Sequence, residues 1–252
     1  MTKKNKIWAY ITKKKAPENK TIETYWQEYF DSNVKMYCGS PGKIVNLDVE
    51  LQEMAFSIVI EKMIFKNNMN VLDAGCGAGE LTLRLLNHTK KVISFDISKN
   101  MLQQILERAP KTDFTIINFC QGSLTNLPFK DNAFDYTISL ETLQHCNSKI
   151  AMSEFIRVTR GGGHIIISVP NAEHPIIKHA ERRFAGKYSG LRINEFMAFL
   201  KERKLYTDTL VMPIMYYRHK NVPFYQRGVF KKPSLLTGEE QKANRFIIYC
   251  RR

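Results

Sequence analysis

The chain reads as an α/β protein built on a doubly wound, mostly parallel sheet, and three observations carry that reading. An apolar run ending in Asp73 passes through alternating glycines, VLDAGCGAGE (Val71–Glu80), and opens a helical stretch, LTLRLLNH. A second apolar run, VISFD, ends in Asp96. Beyond it, strand-like and helix-like segments keep alternating with short connections, which implies parallel pairing through right-handed crossovers.

The elements follow in order. Residues 1–20 form a lysine-rich, flexible leader, and residues 21–66 a helical lid region. Within the latter, Ile22–Phe30 carries aromatics at helical spacing, Met36–Lys43 is a Gly-Ser-Pro loop, and Val49–Phe65 is an amphipathic helix. The main domain spans 67–252, with strands expected near 70–74, 91–96, 114–119, 134–140 and 164–170. Helices fall near 80–88, 99–108 and 148–159, and another covers Arg192–Lys204. Strands near 206–212 and 245–250 close the sheet, with a basic, aromatic segment inserted at about 213–244.

The glycines define the ligand. A dinucleotide site wants G-x-G-x-x-G with a phosphate on the next helix. Here Gly75, Gly77 and Gly79 give G-x-G-x-G, followed directly by Glu80, whose carboxylate repels a phosphate. A nucleoside with a zwitterionic amino-acid tail fits better. Amides around Gly75–Gly77 are expected to take its carboxylate, and Asp73 or nearby carbonyls its ammonium. Asp96 stands where a carboxylate accepts from both ribose hydroxyls.

Further landmarks follow: FDIS with KNML (Phe95–Leu102), LPF (Leu127–Phe129), FDYTISLETLQHC (Phe134–Cys146), EFIRVTRGGG (Glu154–Gly163) and HIIISVPN (His164–Asn171). With the glycine turn, they make the chain resemble the class I S-adenosylmethionine-dependent methyltransferases of the LDxGCGxG group, over roughly residues 68–171. The resemblance implies a Rossmann-like sheet of about seven strands, the last antiparallel, and S-adenosylmethionine as cofactor. It also implies that Leu140 offers a carbonyl to the methionine ammonium. An Asp commonly follows the glycine after the third strand in that family; Ser123 stands there, leaving adenine to backbone and hydroxyl.

Ligands of such sheets sit at the carboxyl ends of the strands. That rule selects Asp73, Ala74, Gly75, Cys76, Gly77 and Gly79 after the first strand. It selects Asp96, Ile97 and Met101 after the second, and Gly122, Ser123 and Leu124 after the third. Met101 reads equally as an adenine contact or a core residue. After the fourth strand come Glu141 and His145, the candidate catalytic groups. His145 reads as a general base or as a pocket-shaping residue, and Glu141 as base, partner of the sulfonium, or orienting carboxylate. Tyr25, Trp26, Tyr29 and Phe30 read as a lid over the methyl group or as helix packing, and Tyr188 as a further acceptor contact. Asp131–Asp135 is turn chemistry rather than a metal site, and no metal is expected.

Composition bounds the partners. Five cysteines (Cys38, Cys76, Cys120, Cys146, Cys250) are scattered without a C-x-x-C pair, which suits reduced thiols in the cytoplasm. No apolar stretch is long enough to span a membrane. The net charge of +14 resides wholly at the ends: +6 over residues 1–20 and +8 over 201–252. Such ends suit an anionic acceptor, nucleic acid, an acidic membrane surface, or simply solvent. The leading reading is a methyltransferase acting on O or N of a small metabolite, with anionic ones among the candidates. The alternatives are an RNA methyltransferase acting on tRNA or rRNA, and a non-catalytic cofactor-binding scaffold. Against RNA, SLET (Ser139–Thr142) lacks the Asn/Asp-Pro-Pro-aromatic motif that grips an exocyclic base amine.

Overall fold

The computed structural model describes residues 20–37, 46–66, 68–89, 91–108, 118–205, 209–216, 225–227, 243 and 245–252. The leader over 1–19, residues 38–43 of the expected Met36–Lys43 loop and most of the 213–244 segment lie outside them, while positions 36 and 37 fall in the first helix instead. Helices are α1 (Ile22–Tyr37), α2 (Asn46–Lys62), α3 (Glu80–Leu85), α4 (Lys99–Arg108), α5 (Ser148–Val158), α6 (Pro175–Arg183) and α7 (Ile193–Glu202). Strands are β1 (Val71–Ala74), β2 (Val92–Asp96), β3 (Asn118–Gln121), β4 (Phe134–Leu140), β5 (Thr159–Pro170), β6 (Thr209–Tyr216), β7 (Tyr225–Arg227) and β8 (Arg245–Arg251). A 3-10 turn covers Leu143–His145.

The described strands form one sheet in the order β3-β2-β1-β4-β5-β8-β6-β7. The first five pair in parallel, and β8 inserts antiparallel between β5 and β6. The sheet is therefore the doubly wound, Rossmann-like one expected, with eight strands instead of about seven. The addition is β7, three residues that fold back antiparallel on the end of β6 at the sheet edge. Two further departures have local causes. β5 starts at Thr159 rather than 164, because Gly162 donates to the Arg252 carbonyl and Arg252 to that of Gly163, extending the pairing through the glycines. α6 begins on Pro175, a residue suited to a helix's first turn, where no amide partner is needed.

β1 is buried along its whole length, as a strand covered on both faces must be. One face packs Leu72, Phe95, Ile165 and Ile167 against α5 and α7, through Phe155, Phe196 and Leu200. The other packs Val71, Ile138 and Ile166 against Ile58 and Val59 of α2 and Leu81 and Leu85 of α3. α2 thus belongs to the body of the domain, although the sequence groups it with the lid. α1 instead meets α4 and the 3-10 turn, at the carboxyl ends of the strands.

Candidate functional site

The turn after β1 is knotted into its neighbours. The Gly75 and Cys76 amides donate to the Phe95 carbonyl at 2.6 and 3.1 Å, and the Gly77 amide donates to Asp96 Oδ2 at 2.9 Å. These amides are spent, so they do not receive a ligand's carboxylate as the sequence suggests. Gly75 has φ +77°, and a Cβ there would lie 2.3 Å from Thr142 Cγ2. Gly77 (φ +53°) faces open space instead.

Asp96 is 8% exposed at the end of β2. Its Oδ1 accepts from the Ser98 amide at 2.8 Å and its Oδ2 from Gly77. Burial raises its pKa, while the amides of Ser98, Gly77 and Ile97 oppose the rise. A carboxylate has about four acceptor positions, so these amides do not exhaust it. Asp73 turns the other way: its Oδ2 accepts from Thr82 Oγ1 at 2.6 Å, and that hydroxyl lies 3.0 Å from Ser94 Oγ. Burial pushes the Asp73 carboxyl up to about 7, against the Thr82 hydrogen bond and with a smaller push from Asp96.

α1 roofs the cleft. Trp26 is 3% exposed, and its Nε1 donates to the Lys187 carbonyl at 2.5 Å. Its ring meets Tyr25, Tyr29, Phe30, Phe184 and His145 at centroid distances of 4.0–5.6 Å. Asp31 fastens the helix: Ser98 Oγ donates to its Oδ1 at 2.5 Å, and the Asn100 amide reaches the same oxygen at 3.2 Å. Beneath lies a hollow of about 50 Å³. Of the sequence-selected residues, Trp26, Phe30, Gly75, Asp96, Ile97, Ser123, Leu124 and His145 line it together. Glu23, Thr142 and Cys146 line it too, and the sequence assigned none of them a role there. A larger hollow of about 460 Å³, with Asn70, Lys91 and Phe129 in its wall, opens at the amino ends of the strands. The carboxyl edge is where such sheets bind ligands, so the smaller hollow is the candidate site.

His145 sits edge-on to Trp26 and Phe30, with Tyr188 5.5 Å from its ring. Its Nδ1 is buried without a hydrogen-bond partner. Desolvation depresses its pKa to about 3, so the imidazole is neutral. Glu141 lies apart from the hollow. Its carboxylate meets Arg245 Nε at 3.1 Å and accepts from Ser168 Oγ at 2.9 Å.

The family model described as "Methyltransferase domain" matches residues 65–209, more than half of the chain. The chain belongs to this methyltransferase family. Its cofactor is S-adenosylmethionine. The chain is 30% identical over 155 residues to an uncharacterized protein of Methanocaldococcus jannaschii, covering 61% of this chain and 64% of that one. It is 34% identical over 119 residues to malonyl-[acyl-carrier protein] O-methyltransferase of Buchnera aphidicola, covering 47% and 46%. In both cases the chain spans less than two thirds of the relative's length. Magnesium protoporphyrin IX methyltransferase from Synechocystis, solved with bound SAH, shares the fold at TM-score 0.64 and 17% identity, over 92% of this chain and all of that one.

The methyltransferase's remaining sequence-selected residues surround the hollow without lining it. Ala74, Cys76, Gly77, Gly79 and Gly122 shape the turns: a Cβ on Gly79 would strike Ile105 at 2.6 Å, and one on Gly122 would strike Phe95 at 2.7 Å. Met101 is 2% exposed, which is core packing rather than an open adenine contact. The Leu140 carbonyl already accepts from Thr142 Oγ1 at 3.0 Å. Tyr25, Tyr29 and Tyr188 complete the aromatic cluster behind the lining rings. Among the described residues, no group of three His, Cys, Asp or Glu could hold a metal, and no helix is long and apolar enough to cross a membrane.

The hollow fits part of the cofactor. Asp96 presents unspent acceptor positions beside the apolar walls of Ile97 and Leu124 and the Ser123 hydroxyl. A small-molecule pocket needs roughly 300 Å³ or more, so α1 must lift to admit a whole nucleoside.

Proposed function

We propose that the protein moves a methyl group from S-adenosylmethionine to an oxygen or nitrogen of a small molecule, in the cleft under α1. The observation that supports this best is the placement of Asp96, whose spare acceptor positions face a hollow walled by Ile97, Leu124 and the rings of α1. In this reading Asp96 takes the ribose diol, Ile97 and Leu124 flank adenine, and Ser123 meets its edge. The Leu140 carbonyl, which keeps one lone pair, takes the methionine ammonium. The bound donor supplies a methyl already activated by its sulfonium.

The remaining work is positioning and drying. α1 is the lid within the 21–66 region, and its aromatic faces exclude water from the reacting atoms. His145 is neutral, with Nδ1 unspent, so it accepts a hydrogen bond from the acceptor's O–H or N–H and orients it. With a pKa near 3 it does not retain a proton at neutral pH. Glu141, held by Arg245 and Ser168, supports the end of β4. Free thiols at Cys76, Cys120, Cys146 and Cys250 support a reducing compartment such as the cytoplasm. The basic stretches that suit an anionic acceptor or RNA lie largely outside the described residues, so the cleft itself carries the small-molecule reading.

The test is transfer of labelled methyl from S-adenosylmethionine into a cell extract, with and without RNase, beside Asp96→Ala. RNase-resistant label in small metabolites, absent with Asp96→Ala, is the expected result. Label destroyed by RNase turns the reading to RNA. No label, with the cofactor still bound, leaves a scaffold.

A further inference from the structure

One carboxylate lining the hollow forms no salt bridge among the described residues. Glu23, in the first turn of α1, lines the space together with Trp26, Phe30, His145 and Cys146. Among the described residues no cation pairs with it, whereas Glu28 on the same helix pairs with Lys20. Its side chain is half-buried. Its field reaches Cys146, where it adds to the effect of burial on that thiol. The helix dipole favours an acid in a first turn, but it does not require one that faces a cleft.

The surroundings suit a cation. Trp26 and Phe30 stack with centroids 5.6 Å apart, and both meet His145 edge-on. Aromatic faces attract cations, and more strongly once water is excluded. A partly desolvated carboxylate is costly until an opposite charge joins it. His145, being neutral, supplies none. An anionic group brought to the same place would face the Glu23 carboxylate.

We propose that the Glu23 end of this hollow, widened when α1 lifts, receives the methyl acceptor as an amine, with Glu23 as its counter-charge and Trp26 and Phe30 as its walls. The inference rests on the methyl-transfer reading of the cleft and selects nitrogen over oxygen within it. An ammonium has no lone pair, so it yields one proton to solvent before it reacts. The freed pair on nitrogen then forms the new N–C bond as the S–C bond breaks and its electrons stay on sulfur. One proton is released per methyl moved.

The test uses binding rather than turnover. The chain has two tryptophans, so Trp8→Phe leaves Trp26 as the sole tryptophan, excited selectively at the red edge where tyrosine does not absorb. In that background, with S-adenosylhomocysteine present, Trp26 fluorescence is titrated with phenethylamine and with its neutral analogue 2-phenylethanol. The amine is expected to bind at least tenfold more tightly. Glu23→Gln should erase that preference, Glu23→Asp should keep part of it, and S-adenosylmethionine affinity should stay within twofold in both. Equal binding of amine and alcohol, a flat amine titration, or a preference that survives Glu23→Gln overturns the inference. So does a tenfold loss of donor affinity in Glu23→Gln, which would assign the carboxylate to the donor's own ammonium. Failure of the unsubstituted protein to bind S-adenosylmethionine would instead remove the methyl-transfer reading beneath it.

Discussion

Ser98 Oγ donates a 2.5 Å hydrogen bond to Asp31 Oδ1, tying the roof helix to the turn that carries Asp96. The same serine caps α4, its Oγ accepting from the Met101 amide at 3.1 Å. One serine thus joins the roof helix, the turn that carries Asp96 and a helix N-terminus. Removing Asp31 should loosen α1 without unfolding the sheet, because α1 stands apart from the two main core clusters. In Asp31→Ala, amide exchange over residues 22–37 should quicken about tenfold, the equivalent of roughly 1.4 kcal/mol of opening free energy. Exchange in β1 and β4 should hold steady; a parallel rise there would make Asp31 a global stabiliser.

The glycine turn makes a sharper prediction. Gly75→Ala brings a methyl into Thr142 and places alanine at φ +77°. Overlap and backbone strain each cost on the order of 1–3 kcal/mol. Adding Thr142→Ala should relieve the overlap and leave the strain, so the double variant recovers only part of the loss. Full recovery in denaturant titrations would show that the φ angle costs nothing here.

Asp73 gives stability a pH dependence of definite sign. Its pKa rises from the ordinary carboxylate range to about 7 on folding, chiefly through burial. The folded state therefore binds more protons than the unfolded one between about pH 4 and pH 7, and the contribution of Asp73 falls as pH rises through that window. The unfolding free energy of the unsubstituted protein should drop more than that of Asp73→Asn between pH 5 and pH 8. The expected difference is on the order of 2 kcal/mol. Parallel pH profiles would mean that the carboxyl is ionised throughout.

His145 should show no titration where histidines usually do. Desolvation holds its pKa at about 3, so its ring stays neutral from pH 5 to pH 8. In a spectrum of labelled histidines, the resonance lost in His145→Gln should keep a constant shift across that range. A midpoint near 6.5 would restore the general-base role that the sequence allows.

The strand–glycine–strand unit was legible because its chemistry is local: Val71–Glu80 and Val92–Asp96 each carry their own pattern. Asp96 could be placed from strand order alone. Glu23, Asp31 and Thr142 could not, because their roles arise where distant segments meet. Ser98 lies 67 residues from Asp31, and Gly75 accepts from a threonine equally far along the chain. The expected use of the Gly75–Gly77 amides failed for a related reason, since Phe95 and Asp96 on β2 take them first. α6 is not legible in the sequence, because Pro175, which suits a helix start, also reads as a breaker.

The roof helix carries both Glu23, which lines the hollow, and Asp31, which clasps Ser98. On the reading proposed above, selectivity and product egress are heritable as one cassette. A sibling enzyme given residues 22–37 of this chain, with a serine matching Ser98, would acquire both traits in a single exchange while keeping its own catalytic body.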